Sequence, residues 1–296
     1  ASAQFDSSIG ASTILGSGSV DSLKFVGIVG AATIDAGVGA DSLFFNAAVE
    51  GARISGLFSA GEYVSFGSNA SAQFDSGIGA GSTIQFSDAA DFATFIGTIN
   101  AAQIKGGNGN DTLTFTNVTF AGTSFAGGDG TDVFSGTIAS VGAGGVSFWG
   151  GTGQDTFNFT QISTGSNTAY FWNDSGADSL VFGSIVSASS GLANIRFGVS
   201  EGTSSTISFL DAQVLTTSTY TNMFGVASDT ATFVSAAVGN NMVTLTFGAT
   251  NTAGSAAGSY VLIGSNVEGV TSSIAGFNST TGTAAWTNTI NMPTFS

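Results

Sequence analysis

Three stretches decide how this chain folds: Gly106-Gly107-Asn108-Gly109-Asn110-Asp111, Gly127-Gly128-Asp129-Gly130-Thr131-Asp132 and Gly150-Gly151-Thr152-Gly153-Gln154-Asp155. All three read G-G-x-G-x-D. Weaker copies run from Gly16 to Asp21, Ala36 to Asp41, Phe86 to Asp91 and Asn173 to Asp178. The closing Asp residues of neighbouring copies stand 20 (21 to 41), 20 (91 to 111), 21 (111 to 132), 23 (132 to 155) and 23 (155 to 178) residues apart. A near-fixed period of this length marks a solenoid, in which one coil takes two short strands and two turns.

The residues after each Asp give the strands. Four places on stand Phe25, Phe45, Phe95, Phe115, Phe159 and Phe182, with Gly136 the exception. Two places on stand Leu23, Leu43, Leu113, Phe134, Phe157 and Leu180, with Ala93 the outlier. Positions two apart share one face of a strand, and the residues between them are mostly small and polar. Each motif therefore launches a strand whose inward face is apolar. Coils stacked about 4.8 Å apart would turn these faces into ladders. The spacing of three and four that a helix needs is missing from these segments.

A longer repeat overlies the short one. Ser2-Ala3-Gln4-Phe5-Asp6-Ser7 recurs identically at Ser71 to Ser76, and Asp21, Phe25 and Gly27 recur as Asp91, Phe95 and Gly97. The first 140 residues read as a duplicated block of roughly three coils. After about residue 210 the motif disappears. Strand alternation persists there, as in Val243-Thr244-Leu245-Thr246-Phe247, with turn signals at Gly239-Asn240-Asn241 and Gly264-Ser265-Asn266. The expectation is an all-β fold: a parallel β-roll or β-helix solenoid over 1–209, with coils of about 20–23 residues and duplicated blocks near 1–69 and 70–140. A β-rich capping or assembly region over 210–296 would cover the open edge.

Composition narrows the function. The 296 residues include no Cys, no His and one Pro, and four basic residues stand against 19 acidic ones for a net charge of −15. The 44 glycines alone would suit a disordered chain, but 26 Phe and a mean hydropathy of +0.35 supply a core. Nucleic acid and anionic lipid both need a basic footprint, so neither is an expected partner. A cation is. No run reaches the length of a membrane-spanning helix. The first residues, Ala1 to Phe5, lack the basic start and apolar run of a signal peptide. The expectation is a leader already removed, another export route, or a piece of a longer protein.

The G-G-x-G-x-D turns resemble those of the repeats-in-toxin family over roughly residues 16–182. That resemblance implies calcium held in Gly-rich turns between successive coils of a parallel β-roll. The positions matching the family pattern are Gly107, Asn108, Gly109 and Asp111, then Gly128, Asp129, Gly130 and Asp132, then Gly151, Gly153 and Asp155. Asp21, Asp41 and Asp178 are the outlying candidates. Calcium takes six to eight oxygen ligands, which backbone carbonyls and a carboxylate from each of two coils can supply. The chain departs from the family in one respect. Its coils are longer and carry one motif each, so ions are expected along one edge only. Phe86-Ser87-Asp88-Ala89-Ala90-Asp91 has lost every Gly, and Glu62 stands alone near the expected edge.

Three functions compete. Enzymes on parallel β-helices need a base and a cation for acidic sugars. A chain without His or Cys, and with Lys24, Arg53, Lys105 and Arg196 scattered, is poorly equipped. The expectation is no enzyme. A calcium-rigidified adhesin or stalk binding a surface, glycan or ice is the alternative, although Thr residues are scattered rather than arrayed. Trp149, Trp172 and Trp286 read as core or interface residues before they read as a sugar platform. The composition is similar to that of bacterial surface-layer proteins, so the favoured reading is a secreted, extracellular, calcium-dependent structural protein. Copies of itself are the expected partner, in an array or filament, with an outer-membrane glycan as a further one.

Overall fold

A computed structural model describes the backbone of residues 2–163, 167–173, 178–186, 194–199 and 205–209, and of five later strands; side chains are described to 163 and at 167, 169–171 and 178–181. The fold is all-β, with parallel strands stacked as a solenoid. Among the described residues no helix is long and apolar enough to cross a membrane. The chain divides into two compact units, Ala1–Ser147 and Phe148–Ser296.

In the first unit odd and even strands form two parallel sheets. One takes β1 (Ser2–Phe5), β3 (Ser22–Phe25), β5 (Ser42–Phe45), β7 (Tyr63–Phe66), β9 (Thr83–Gln85), β11 (Gln103–Asn108) and β13 (Thr123–Asp129). The other takes β2 (Thr13–Leu15), β4 (Thr33–Asp35), β6 (Val49–Ser55), β8 (Ala70–Phe74), β10 (Phe92–Asn100), β12 (Thr112–Ala121) and β14 (Val133–Val141). The first sheet pairs Ser2 with Ser22, Ser22 with Ser42, Ser42 with Tyr63, and Tyr63 with Thr83. One coil is therefore 20 or 21 residues here, and consecutive strands lie on opposite sheets.

The alternation works as the sequence implies. Leu23, Phe25, Leu43, Phe45, Phe95, Leu113, Phe115 and Phe134 are all buried. Each such side chain removed from water contributes roughly 1.5–3 kcal/mol. The rings stack at the coil spacing. Phe5, Phe25, Phe45, Phe66 and Phe86 form one column under the odd strands, with successive centroids 5.0, 4.8, 4.9 and 5.0 Å apart. Phe74, Phe95 and Phe115 form a second column under the even strands, at 4.9 and 5.7 Å. The second column stops where Phe115 pairs with Gly136, at which a side chain would overlap the Phe115 carbonyl.

The two columns exist because the longer repeat is not a whole number of coils. Ser2–Phe5 is β1 of the odd sheet, whereas its identical copy Ser71–Phe74 lies in β8 of the even sheet. An offset of 69 or 70 residues amounts to three and a half coils, not three. The register slips at β7 and β8, where two half-coils ending in Phe, Tyr63–Phe66 and Ala70–Phe74, follow one another. From there every half-coil type has changed sheets.

The second unit contains β16 (Thr156–Ser163), β17 (Thr168–Asn173), β18 (Ser179–Val186), β19 (Asn194–Val199) and β20 (Ser205–Phe209). Here β16 pairs with β18, β18 with β20 and β17 with β19, all parallel. β15 (Val146–Thr152) straddles the division between the units. Beyond it lie β21 (Ser218–Thr221), β22 (Thr230–Phe233), β23 (Val243–Ala249), β24 (Ala256–Ile263) and β25 (Thr283–Ile290). Pairing becomes antiparallel between β20 and β23 and stays so through β24 and β25. The boundary expected at 209/210, and the turns at 239–241 and 264–266, lie at or among residues outside those described.

Candidate functional site

Asp41, Glu62, Asp91, Asp111, Asp132 and Asp178 each end a turn just before a strand and accept a main-chain N–H from the coil before. The N–H of Asp21 donates to Asp41 Oδ1 at 2.7 Å, and that of Asp41 to Glu62 Oε2 at 2.8 Å. The N–H of Glu62 donates to Ser82 Oγ at 3.1 Å. A second ladder begins where Ala70 N–H donates to Asp91 Oδ1. It continues with Asp91 N–H to Asp111 Oδ1 and Asp111 N–H to Asp132 Oδ1, both at 2.8 Å. Within the second unit Asp155 N–H donates to Asp178 Oδ1 at 2.8 Å. An amide buried at a turn–strand junction needs a partner, and an ionised acceptor is a strong one.

Within the first unit the ladders run along opposite edges. Asp21, Asp41 and Glu62 stand where an even strand passes to an odd one; Asp91, Asp111 and Asp132 stand where an odd strand passes to an even one. The motif turns thus occupy both edges in succession, and not the single edge expected from the sequence. The half-coil slip is the cause. Glu62, which stands alone in the sequence, is a rung of the first ladder.

The second carboxylate oxygen separates two kinds of turn. Where the residue four before the Asp is Ser, the turn satisfies that oxygen itself. Ser87 donates to Asp91 Oδ2 from its N–H at 2.9 Å and from its hydroxyl at 2.8 Å. Ser17 donates its N–H to Asp21 Oδ2 at 2.5 Å and its hydroxyl to Oδ1 at 2.9 Å. In two turns where that residue is Gly, Gly37 before Asp41 and Gly107 before Asp111, the oxygen has no donor. Asp41 Oδ2, Asp111 Oδ2 and also Glu62 Oε1 are buried and accept no hydrogen bond. Their residues are 2% exposed or less.

The glycines of the motif answer to close stacking. A Cβ on Gly106 would overlap Asp111 Oδ2 and the Gly127 carbonyl oxygen together, so both oxygens face the same hollow. A Cβ on Gly150 would likewise meet Asp155 Oδ2. Gly107, Gly109, Gly128 and Gly130 have φ of +114°, +114°, +120° and +140°, and Gly151 and Gly153 have +101° and +137°. Such values are open to Gly at no steric cost. A Cβ on Gly128 would overlap the Gly107 carbonyl, and one on Gly130 the Gly109 carbonyl.

Other candidate ligands lie elsewhere on the turns. Asn108 and Asp129 pair in register at the exposed turn tip, where the Asp129 carbonyl accepts Gly109 N–H at 2.8 Å. Of the weak copy ending at Asp178, residues 174–177 lie outside those described. Among the described residues no three His, Cys, Asp or Glu side chains gather into a metal-holding group. A cation here would draw on carbonyls as much as carboxylates. The Gly106 hollow, with one carboxylate and one carbonyl oxygen facing it, fits a hard cation in kind.

Burial dominates the electrostatics. It pushes the Asp111 carboxyl up to about 7, against the pull of the Asp91 N–H and with further push from Asp132 and Asp91. Burial likewise raises Glu62 to about 7 and Asp132 to about 6. Asp41 and Asp91 are raised for the same first reason. Without a counter-ion, neutral pH charges these ladders only at a cost.

Sequence reading overlooked the serines four before Asp21 and Asp91, and the role of the motif's first Gly. Both were visible as fixed offsets from the Asp, once the offset had a meaning. Compared with known proteins, the chain matches no family model, no curated protein and no solved structure.

Proposed function

We propose that the chain is a secreted, calcium-dependent structural protein that assembles into a cell-surface array or extracellular filament. The observation that carries this reading is the pairing of buried carboxylate oxygens that lack a donor with carbonyl oxygens facing the same hollow, as at Asp111, Gly106 and Gly127. Asp41 and Asp111, with Glu62, would hold the cation by carboxylate and the turn glycines by carbonyl. Bound calcium supplies the positive charge that lets these carboxylates stay ionised without water. Folding and metal uptake are then linked.

The same placement supports a structural role over a catalytic one. Asp41, Asp91, Asp111 and Asp132 are buried rungs bonded to neighbouring coils, so they are not offered to an outside substrate. Solenoid units that contact only their neighbours suit extension by head-to-tail contact.

The test joins circular dichroism with electron microscopy. The chain should be markedly less stable in EGTA than at millimolar calcium, and in calcium it should form sheets or filaments in negative stain. Persistent monomers in calcium would sink the array, and equal stability in calcium and in excess EGTA would sink the calcium dependence.

A further inference from the structure

A groove crosses the outer face of the even sheet, where its lining residues Phe92 and Thr112 directly follow the ladder rungs Asp91 and Asp111. It has a volume of about 400 Å³, within the range of small-ligand sites. Its origin is local. β6 bulges between Glu50 and Ala52 where it pairs with β8, and Gly51 takes φ +84° there with nothing within 4 Å of where a side chain would stand. With Gly51 bare and Ser71 small beside it, a hollow opens between Phe92 on one flank and Arg53 and Gln73 on the other.

The lining combines three features. Phe92 is 55% exposed, although the side chains paired with it on either side, Ser71 and Thr112, are small and polar. Arg53 and Gln73 are held in place by one carboxylate, since Arg53 Nε donates to Asp75 Oδ2 at 2.5 Å and Gln73 Nε2 to Asp75 Oδ1. Next to Arg53, the residues Gln73, Thr94 and Thr114 line up across three coils. Their amide and hydroxyl groups repeat at the strand spacing of about 4.8 Å, a step close to one unit of an extended sugar chain.

We infer that this groove binds a neutral oligosaccharide chain, with one sugar ring stacked on Phe92 and its hydroxyls bonded by Arg53, Gln73 and the threonines. The aromatic face offers an apolar platform, and the fixed planar groups donate and accept as sugar hydroxyls require. Charge selects a neutral sugar over an acidic one. Asp75 already neutralises Arg53, and the chain carries −15 overall. A protein partner fits less well, because its contact core would need a contiguous apolar patch rather than one ring among hydroxyls. An ice surface would want a longer regular array than Thr112, Thr114 and the Thr94 that pairs with Thr114. The inference does not rest on calcium or on assembly.

The experiment is affinity electrophoresis of the full chain in calcium buffer, in native gels cast with hydroxyethylcellulose, galactomannan, mixed-linkage β-glucan or polygalacturonate. At least one neutral polymer should retard the protein. Phe92→Ala should weaken that retardation about tenfold, with unchanged circular dichroism because the side chain is exposed. Ser71→Gln, which fills the hollow while leaving Phe92, should weaken it too, and Phe44→Ala on the other sheet should not. No retardation by any neutral polymer, retention of full retardation in both groove variants, or equal retardation by polygalacturonate would each overturn the assignment.

Discussion

The N–H of Asp91 donates to Oδ1 of Asp111 at 2.8 Å, a bond that spans 20 residues of chain and a single coil of structure. It ties the start of one strand to the start of the next in the same sheet. The partner oxygen, Asp111 Oδ2, is buried without a donor. One side chain thus holds two coils together and carries the unmet valence that a cation would meet.

Asp111→Asn keeps the shape and removes the charge. An amide oxygen still accepts the Asp91 N–H, and the new NH₂ faces the Gly127 carbonyl side of the hollow. In EGTA at pH 8 the variant should be more stable than the parent by about 1–2 kcal/mol, since a buried unpaired charge is gone. In calcium the order should reverse. Urea titrations with and without calcium give both numbers, and a variant less stable in EGTA would contradict the unmet-charge reading.

The metal-free chain should lose stability as pH rises. Asp111 and Glu62 titrate near 7 and Asp132 near 6 when folded, above their unfolded values near 4. Between these limits the folded state holds more protons, so stability is full below about pH 4 and is lost as pH passes through 6 to 7. Urea midpoints in EGTA at pH 5 and pH 8 would reveal this fall. Saturating calcium should flatten it.

Ser87→Ala should cost about 1 kcal/mol in EGTA, the loss of one hydrogen bond to a buried carboxylate. It should leave Asp91 Oδ2 with a single donor, the backbone N–H of residue 87, and so nearer the condition of Asp111 Oδ2. Calcium should therefore restore more stability to this variant than to the parent, which calorimetry in matched buffers would register.

Gly128→Ala meets both a left-handed backbone and the Gly107 carbonyl, and should cost at least about 2 kcal/mol with or without calcium. Gly10→Ala is the control. Nothing lies within 4 Å of its added methyl and its φ is ordinary, so thermal unfolding should barely change.

Phe115→Ala tests the core. Phe115 stacks on Phe95 at 5.7 Å and meets Phe120 and Phe125 edge-on at 5.4 and 4.9 Å, so truncation leaves a cavity between three rings. A loss of about 3–5 kcal/mol is expected. Phe5→Ala, at the half-buried end of the other column, should lose less.

Much of this architecture could be read from the chain. The Asp-to-Asp distances set the coil length, and Phe25, Phe45, Phe95 and Phe115 announced stacked strands because inward positions recur at every second residue. The turn glycines were legible as turn formers. Their second task, leaving room for the carbonyl of the coil below, was not, because that carbonyl belongs to a residue some 21 positions away in sequence, as Gly107 is from Gly128. The Phe92 groove was hidden for a like reason. It depends on Gly51, Ser71 and Phe92 arriving side by side from three coils.

The sequence by itself determined that half-coils alternate, that an Asp stands four residues before Phe25, Phe45, Phe95 and Phe115, and that the Ser2–Ser7 hexapeptide is repeated. Only the tertiary structure decided that β1 and β8, identical over Ser2–Phe5 and Ser71–Phe74, belong to opposite sheets. A strand's sequence fixes its pleat and its buried face. Which sheet it joins depends on the number of half-turns before it, and no strand carries that count in its own residues. The three-and-a-half-coil offset therefore sends both the Phe column and the carboxylate ladder from one side of the solenoid to the other.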